Sequence, residues 1–288
     1  MTKDTLRRYY HLTKPGIVYG NALHVVVGYL LAFRFGLHWA SFFGVFFGVA
    51  LVIASACVAN NYMDREIDAH MKRTKKRALV VGTIESRNAI IYVIVLGILG
   101  TGLLLLTTNI LTTVLGAIAY IWYVWIYGYA KRTTYYSTIV GSVPGALPLV
   151  AGYTAASNTF DLSAWVLFAM LCLWQIPHFY AIAIARKKEY ASAKVPTITA
   201  YKSNDLIRKH MLVWTGLYIA SIILVAKLGV VHQLSSVLWV GVAAYWAWHM
   251  IHAYPGFSVE SWAMKSFRLS LFMPIVLIVV AVFTVVLA

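Results

Sequence analysis

Three oxygen-bearing side chains recur every four residues in the stretch NNYMDREID. Asn60, Asp64 and Asp68, which we call the oxygen ladder, would stack on one face of a helix, with roughly 6 Å of rise between successive groups. Mg²⁺ prefers oxygen ligands and usually combines one or two carboxylates with water and substrate phosphates. The spacing therefore predicts a site where a metal ion holds a diphosphate.

A basic cluster follows the oxygen ladder directly. Arg73 and Arg77 are again four residues apart, with Lys76 beside them. Guanidinium groups present forked donors that match phosphate oxygens, so these side chains would bind the diphosphate from the other side. Lys131 and Arg132, at the end of a later apolar stretch, could join them. Acids and bases at this spacing also occur as ordinary ion pairs on helix surfaces, and the spacing alone leaves that alternative open.

The composition indicates that these groups lie at a membrane. Hydrophobic residues make up 61% of the chain and charged residues 11%, whereas a soluble domain carries about 25% charged residues. No polar stretch is long enough for a separate soluble domain, so we expect one membrane domain over residues 1–288. Apolar stretches of roughly 20 residues, each long enough to span a bilayer as a helix, recur along the sequence. The nine predicted spans are 17–35, 39–61, 88–108, 111–130, 137–156, 163–185, 212–230, 234–253 and 268–287.

The basic residues lie on one side of these spans. Of the 24 Lys and Arg residues, all but Arg34 and Lys227 fall in the N-terminal segment, in alternate connections or at the adjoining span ends. The positive-inside rule then places the N-terminus in the cytoplasm and the C-terminus outside. This asymmetry accounts for the net charge of +15 without a nucleic-acid partner. The rule depends little on Asp and Glu, so it does not explain the oxygen ladder.

Several motifs resemble those of a known family of membrane enzymes. The pattern N-x-x-x-D-x-x-x-D of the oxygen ladder, followed by M-x-R-T-x-x-R from Met71 to Arg77, is similar to the signature of the intramembrane UbiA-type prenyltransferases. The sequence most resembles the protoheme IX farnesyltransferase (haem O synthase) branch of that superfamily. The stretches that carry this resemblance are NNYMDREIDAHMKRTKKR at 60–77, TKPGI at 13–17, GSVPGALPLVAGY at 141–153 and WQIPHFYAIAI at 174–184.

The resemblance implies an all-α polytopic membrane protein with about nine transmembrane helices around a lipid-open cavity. The implied reaction transfers the farnesyl group of farnesyl diphosphate to a vinyl group of haem B, with addition of water, giving haem O and diphosphate. Haem B is then a substrate rather than a cofactor. The implied location is a bacterial cytoplasmic membrane, with the site toward the cytoplasmic face. The implied partners are the lipid bilayer and either haem A synthase or the assembly of a haem-copper terminal oxidase.

The resemblance also extends to a second acidic motif, at Glu189 and Tyr190. Mg²⁺ would be bound by the oxygen ladder together with Glu189. Members of the superfamily usually have two acids four residues apart in this motif, whereas Glu189 stands alone among basic residues. Ala78 also departs from the pattern, because many members have Pro after the last arginine of the first motif.

The block WQIPHFY could face the prenyl acceptor. His178 lies in the sixth predicted span next to Pro177, which frees a backbone carbonyl. Its imidazole could ligate or orient the haem iron or carry a proton, and Trp174 and Gln175 are assigned with it to haem binding. A satisfied core histidine is the alternative. The aromatic residues at 120–129 could line an isoprenoid tunnel or form an interfacial belt.

Three functions stay open at this point. The first is the farnesylation of haem B, and the second is prenylation of another acceptor, such as a quinone precursor, a chlorophyllide or a lipid. The third is an ion-coupled transporter in which Asp64 and Asp68 bind the driving ion. Transporters place such groups near mid-membrane, while these acids lie at a predicted span end beside a basic cluster, which favours a phosphate site.

Overall fold

The chain folds into a bundle of membrane-length helices joined by short amphipathic ones. The structure, a computed structural model, describes residues 3–256 and 258–287. In chain order the α-helices are α1 (Lys3–Leu12), α2 (Pro15–Leu31), α3 (Trp39–Met63), α4 (Arg65–Ala69), α5 (Ser86–Thr107), α6 (Ile110–Ile121), α7 (Gly128–Thr133), α8 (Ser137–Ser157), α9 (Leu162–Ala185), α10 (Lys187–Ser192), α11 (Ile198–Tyr201), α12 (Asn204–Lys227), α13 (Gln233–His252), α14 (Val259–Ser270) and α15 (Phe272–Val286). A π-helical segment, Trp122–Tyr127, joins α6 to α7.

The predicted architecture of about nine membrane-spanning helices is confirmed. Eight helical segments within the described residues are long and apolar enough to cross a membrane, among them Ile110–Thr133 and Val259–Val286, which each combine consecutive elements. The apolar α2, of 17 residues, is the ninth. The chain is therefore a multi-pass membrane protein.

Two predicted spans begin later than the helices that contain them. α12 begins at Asn204, where Ser203 caps it by accepting a hydrogen bond from the Leu206 amide, and its first turns carry ion pairs from Asp205 to Arg208 and Lys209. α14 begins at Val259 behind a similar serine cap. Hydropathy does not detect such polar first turns, because caps and ion pairs stabilise them rather than apolar burial.

Close glycine contacts set the packing of α2 against α8. A Cβ atom on Gly28 would collide with the backbone carbonyl of Leu149, and one on Gly152 would collide with that of Val25. Small residues of this kind let membrane helices approach until their backbones touch. Because α2 and α8 both line the cavity described below, these contacts fix two of its walls.

Proline shapes α8 on the cavity side. Pro144 has no amide hydrogen, so the carbonyl of Val140, four residues earlier, has no donor within the helix. The indole of Trp122 supplies one, with Nε1 donating to the Val140 oxygen at 2.9 Å. This contact ties the π-helical segment to α8, so irregular backbone is satisfied by a neighbouring helix.

We expect Gly152→Ala to lower the thermal unfolding temperature of the protein in detergent, because the added methyl group would cost about 1–3 kcal/mol of overpacking. Gly102→Ala is the matched control, since nothing lies within 4 Å of the position of its Cβ. That control should be neutral or stabilising, because alanine is the better helix former. Equal melting temperatures for the two variants would contradict the proposed α2–α8 contact.

Candidate functional site: a cavity beneath the oxygen ladder

A cavity of about 650 Å³ lies between α2, α3, the α6–α7 segment, α8 and α9. Its polar end is formed by the oxygen ladder and by basic side chains from several elements. The residues at this end are Lys14, Asn60, Asp64, Asp68, Arg73, Arg77, Lys131, Arg186 and Tyr190. The fold therefore brings together the first acidic motif, one residue of the second motif (Tyr190) and one residue of α7 (Lys131).

The oxygen ladder keeps its helical register although α3 ends at Met63. The Asp64 amide donates to the Asn60 carbonyl at 2.9 Å, and the Asp68 amide donates to the Asp64 carbonyl at 2.8 Å. The helical hydrogen-bond pattern thus continues through the break between α3 and α4. As a result, the three side chains share one face and are all buried, with 3–5% of their surface exposed. Glu66, on the other face, points to solvent.

Each member of the oxygen ladder contacts a basic side chain. Lys131 pairs with Asp64, and Arg77 donates to Asp68 at 2.5 Å. Lys14 donates to the amide oxygen of Asn60. Burial alone would raise the pKa of the Asp64 carboxyl, but the surrounding positive charges outweigh it and lower that pKa below its ordinary value. Asp64 therefore stays ionised as an oxygen ligand at neutral pH.

The donor set fits a divalent ion that takes part of its coordination from a substrate. The ladder supplies two carboxylates and one amide oxygen. Within residues 3–256 and 258–287, no group of three or more His, Cys, Asp or Glu side chains lies close enough to hold a metal ion. An ion bound here would need phosphate or water oxygens as well, which is how Mg²⁺ binds in phosphate-transfer sites.

The other predicted polar residues lie at different places. Glu189 accepts a hydrogen bond from the backbone amide of Arg73 at 3.3 Å and is not among the cavity-lining residues. Its neighbour Tyr190 does line the cavity. Arg132 donates hydrogen bonds to Asp64 at 3.1 Å and to the Met63 carbonyl at 2.6 Å, but it is not among the residues that line the cavity.

Lys76 is exposed and also lies off the cavity. Within the basic cluster, Arg73 and Arg77 line the cavity, and Lys76 does not. The four-residue spacing of the two arginines therefore distinguishes the cavity-facing side chains from their neighbour.

The deep part of the cavity has one apolar wall, contributed by α3 and α6. Val49 and Val52 line it from α3, and Leu115 and Gly116 line it from α6. Val49 precedes Asp64 by fifteen residues, roughly 22 Å of helix. A linear hydrocarbon chain attached to a diphosphate at the ladder could extend along this wall.

The wall formed by α2 and α9 carries rings instead. His24 comes from α2, and Trp174, Gln175 and His178 come from α9. The imidazole of His178 stacks on the indole of Trp174, with ring centroids 4.9 Å apart, and His24 meets the same indole edge-on at 6.2 Å. The amide of Gln175 donates to the Ser142 carbonyl at 3.0 Å. This wall offers flat aromatic surface and imidazole nitrogens.

The aromatic residues at 120–129 divide between the cavity wall and the outer surface, so each of the two predicted roles, tunnel lining and interfacial belt, applies to some of them. Tyr120, Tyr123 and Tyr127 line the cavity, and the last two rings stack at 5.6 Å within and at the end of the π-helical segment. Trp125 and Tyr129, with 56% and 71% of their surface exposed, face outward, where a membrane belt would lie.

Comparison with known proteins identifies the family. The UbiA prenyltransferase family profile matches residues 22–273. The chain belongs to the UbiA prenyltransferase family. It is also 37% identical over 267 residues to the protoheme IX farnesyltransferase of Yersinia pseudotuberculosis serotype O:1b (strain IP 31758), covering 92% of this chain and 90% of that relative. The predicted resemblance and the assignment as a prenyltransferase are thus confirmed.

Two solved structures illustrate the fold that this chain shares with other proteins. Digeranylgeranylglyceryl phosphate synthase aligns with a TM-score of 0.81 at 17% identity, covering 99% of this chain and 100% of that one. A UbiA homologue from Archaeoglobus fulgidus, bound to GPP and Mg²⁺, aligns with a TM-score of 0.65 at 14% identity, covering 96% and 99%. At these identities the likeness concerns the fold alone.

Sequence reasoning missed Lys14 as a site residue of this UbiA-type protein. Lys14 adopts a left-handed conformation (φ 52°, ψ 65°) just before Pro15, which disfavours a helical residue ahead of it. That turn directs the side chain to Asn60 at the cavity mouth. Burial, together with the charges of Arg77 and Lys131, lowers the pKa of the Lys14 ammonium group to about 8. The dipeptide Lys-Pro at the start of a span was the available signal.

We expect Lys14→Met to weaken the binding of inorganic diphosphate, with Mg²⁺ present, by about tenfold or more, since hydrogen bonds to charged groups are worth about 1.5–3 kcal/mol. Isothermal titration calorimetry of the purified prenyltransferase would measure this. Lys72→Met, at an exposed position in the same basic region, is the control and should change the affinity little. Equal losses in both variants would show that Lys14 acts only through the general positive field.

Proposed function

We propose that this prenyltransferase transfers the farnesyl group of farnesyl diphosphate to a vinyl group of haem B, with addition of water, to give haem O and diphosphate. The observation that carries the proposal is the single cavity that joins the oxygen ladder to an apolar wall and to a wall of imidazole and indole rings. Similarity to a protoheme IX farnesyltransferase over 92% of the chain supports the choice of both substrates.

The polar end of the cavity would activate the leaving group. Asn60, Asp64 and Asp68 would hold Mg²⁺, which supplies Lewis-acid stabilisation of the departing diphosphate. Lys131 and Arg77 now neutralise the ladder. When the substrate binds, the same cations would turn from the carboxylates to the phosphate oxygens, because the diphosphate is the more highly charged anion. Glu189, through the Arg73 backbone, would hold the two cytoplasmic loops together around the diphosphate.

The remaining walls would guide the carbon chemistry. Breaking the allylic C–O bond leaves diphosphate and a farnesyl cation, which the ring faces of Tyr123 and Tyr127 can stabilise. A vinyl carbon of haem B attacks the cation and forms the new C–C bond. The adjacent carbon then carries the charge, and a water molecule adds its oxygen there and releases one proton. The apolar α3–α6 wall would shield the cation from earlier capture by water.

Trp174, Gln175 and His178 would form the acceptor side. The indole of Trp174 offers a flat face, and its stacking on His178 keeps both rings in the cavity wall. A porphyrin packed against them would bury their remaining exposed surface and add an aromatic contact. We further propose that the protein lies in a bacterial cytoplasmic membrane with its N-terminus and oxygen ladder on the cytoplasmic side, supported by the distribution of Lys and Arg.

The direct test mixes purified protein, Mg²⁺, farnesyl diphosphate and haem B and analyses the products by mass spectrometry. We expect haem O and diphosphate. No haem O, together with prenylation of an aromatic acid offered in parallel, would reject haem B as the acceptor and assign the protein to another branch of the family.

We expect Asp64→Asn to abolish turnover while haem B binding, followed by its optical spectrum, stays largely intact. The reason is that the substitution removes the ladder carboxylate that pairs with two basic side chains, while the rings of the acceptor side, Trp174 and His178, are unchanged. Glu66→Gln, two residues away and exposed, is the matched control and should retain activity. An active Asp64→Asn enzyme would refute the metal assignment.

A further inference from the structure

His178 is held from outside the cavity by a residue of the last membrane segment. Its side chain is buried, with 7% of its surface exposed, and it lines the cavity from α9. Its Nδ1 lies 2.6 Å from the hydroxyl of Ser270, the last residue of α14. The hydroxyl of Ser270 in turn lies 2.6 Å from the backbone carbonyl of Phe267.

This chain of hydrogen bonds determines the tautomer of His178. The Phe267 carbonyl can only accept, so the single hydroxyl proton of Ser270 is donated to it. Ser270 must then accept from His178, and the imidazole proton lies on Nδ1. The other ring nitrogen, Nε2, therefore carries a lone pair. Within residues 3–256 and 258–287, the one hydrogen bond that the His178 side chain makes is the one through Nδ1.

Pro274 frees the backbone carbonyl of Ser270 for a second contact with the same wall. Because Pro274 has no amide hydrogen, the Ser270 carbonyl four residues earlier lacks a helical donor, and the helix breaks between α14 and α15. The indole Nε1 of Trp174 donates to that carbonyl at 3.0 Å. Ser270 thus fixes two neighbouring rings of the acceptor wall, Trp174 through its carbonyl and His178 through its hydroxyl.

We propose that Ser270 sets the tautomer and orientation of His178 so that His178 Nε2 ligates the haem iron of the acceptor. The inference rests on the proposed function, since it takes haem B as the acceptor. Among the groups that haem B presents, methyl and vinyl groups are apolar and the propionates are hydrogen-bond acceptors. Only the iron accepts a lone pair. Ligating histidines typically donate their other ring N–H to a fixed oxygen, as His178 does to Ser270.

His24 is the rival imidazole on the same wall. It is buried, and neither of its ring nitrogens has a hydrogen-bond partner among the described residues. No hydrogen bond therefore sets its tautomer, and both of its nitrogens are buried in this conformation, although its ring packs edge-on against Trp174. His178 has both features that a pre-organised ligand requires. Its position, eight residues before Arg186, lies roughly 12 Å deeper than the polar end of the cavity.

The first experiment identifies the ligand. Wild-type protein and single alanine variants are loaded with haem B, without farnesyl diphosphate, and studied by optical and electron paramagnetic resonance spectroscopy. We expect His178→Ala to lose the axial nitrogen signature and to regain it when imidazole is added. His249→Ala is the matched control, because His249 is also buried with an unpartnered nitrogen but lies off the cavity. Loss of the signature in His24→Ala, with His178→Ala unchanged, would overturn the proposal.

The second experiment tests the positioning role of Ser270. Ser270→Ala should keep the iron–histidine bond but lower its stretching frequency in resonance Raman spectra and raise the reduction potential of the haem, because the Nδ1 hydrogen bond that makes His178 more basic is lost. Ser270→Thr keeps the hydroxyl and should restore both values. Unchanged frequency and potential in Ser270→Ala would refute the role.

A measurement without any Ser270 variant covers the case in which the substitution prevents folding. Nuclear magnetic resonance of the haem-free protein with ¹⁵N-labelled histidine, with His178 assigned by difference from His178→Ala, should show a proton on Nδ1. A proton on Nε2 would overturn the inference. Wild-type protein that makes haem O but fails these spectroscopic tests would reject only this inference, whereas wild-type protein that does not bind haem B would reject the proposed function.

Discussion

The arrangement of the site depends on the burial of two carboxylates, Asp64 at the end of α3 and Asp68 in α4. A buried charge costs several kcal/mol unless a partner of opposite sign compensates it. Asp64 obtains its partner from α7, as Lys131, and Asp68 obtains its partner from the loop after α4, as Arg77. Each ion pair therefore joins α3 and α4 to another segment, and the polar end of the cavity forms only when those segments are in place.

The same constraint links stability to substrate binding. The cations that compensate the ladder are the cations best placed to bind a diphosphate, so a metal ion and a diphosphate would enter as an exchange of partners. In the proposed site, Asp64 and Asp68 would bind the ion, and Lys131 and Arg77 would bind the phosphates. Little net charge would then be left unpaired in either state, so the energetic difference between the states would be small compared with the cost of an isolated buried charge.

Local spacing made the first motif predictable from the sequence. The ladder needs only the helical repeat and survives the break after Met63, because the backbone hydrogen bonds continue through it. The number of spans followed from hydropathy for a similar reason, since each span must bury about 20 apolar residues on its own. These features depend on short-range order, and short-range order is visible in a single sequence.

Features that depend on contacts between distant segments were not predictable in this way. Lys14 reaches Asn60 because its own backbone adopts a left-handed conformation ahead of Pro15. No periodic pattern in the sequence marks such a turn. Glu189 is predicted as a metal ligand from its charge, and its contact with the Arg73 backbone depends on how two loops meet. The type of a residue indicates what it can bind, while its partner depends on tertiary structure.

Pro144 and Pro274 show how this bundle accommodates interrupted helices beside the cavity. Within a membrane an unsatisfied carbonyl is costly, so a proline in a span needs a replacement donor. Trp122 supplies it to Val140 on α8, and Trp174 supplies it to Ser270 on α14. Both indoles stand in or next to a cavity wall. The donor that repairs the backbone therefore also fixes a ring in the wall, so that proline positions in the spans help determine the shape of the cavity.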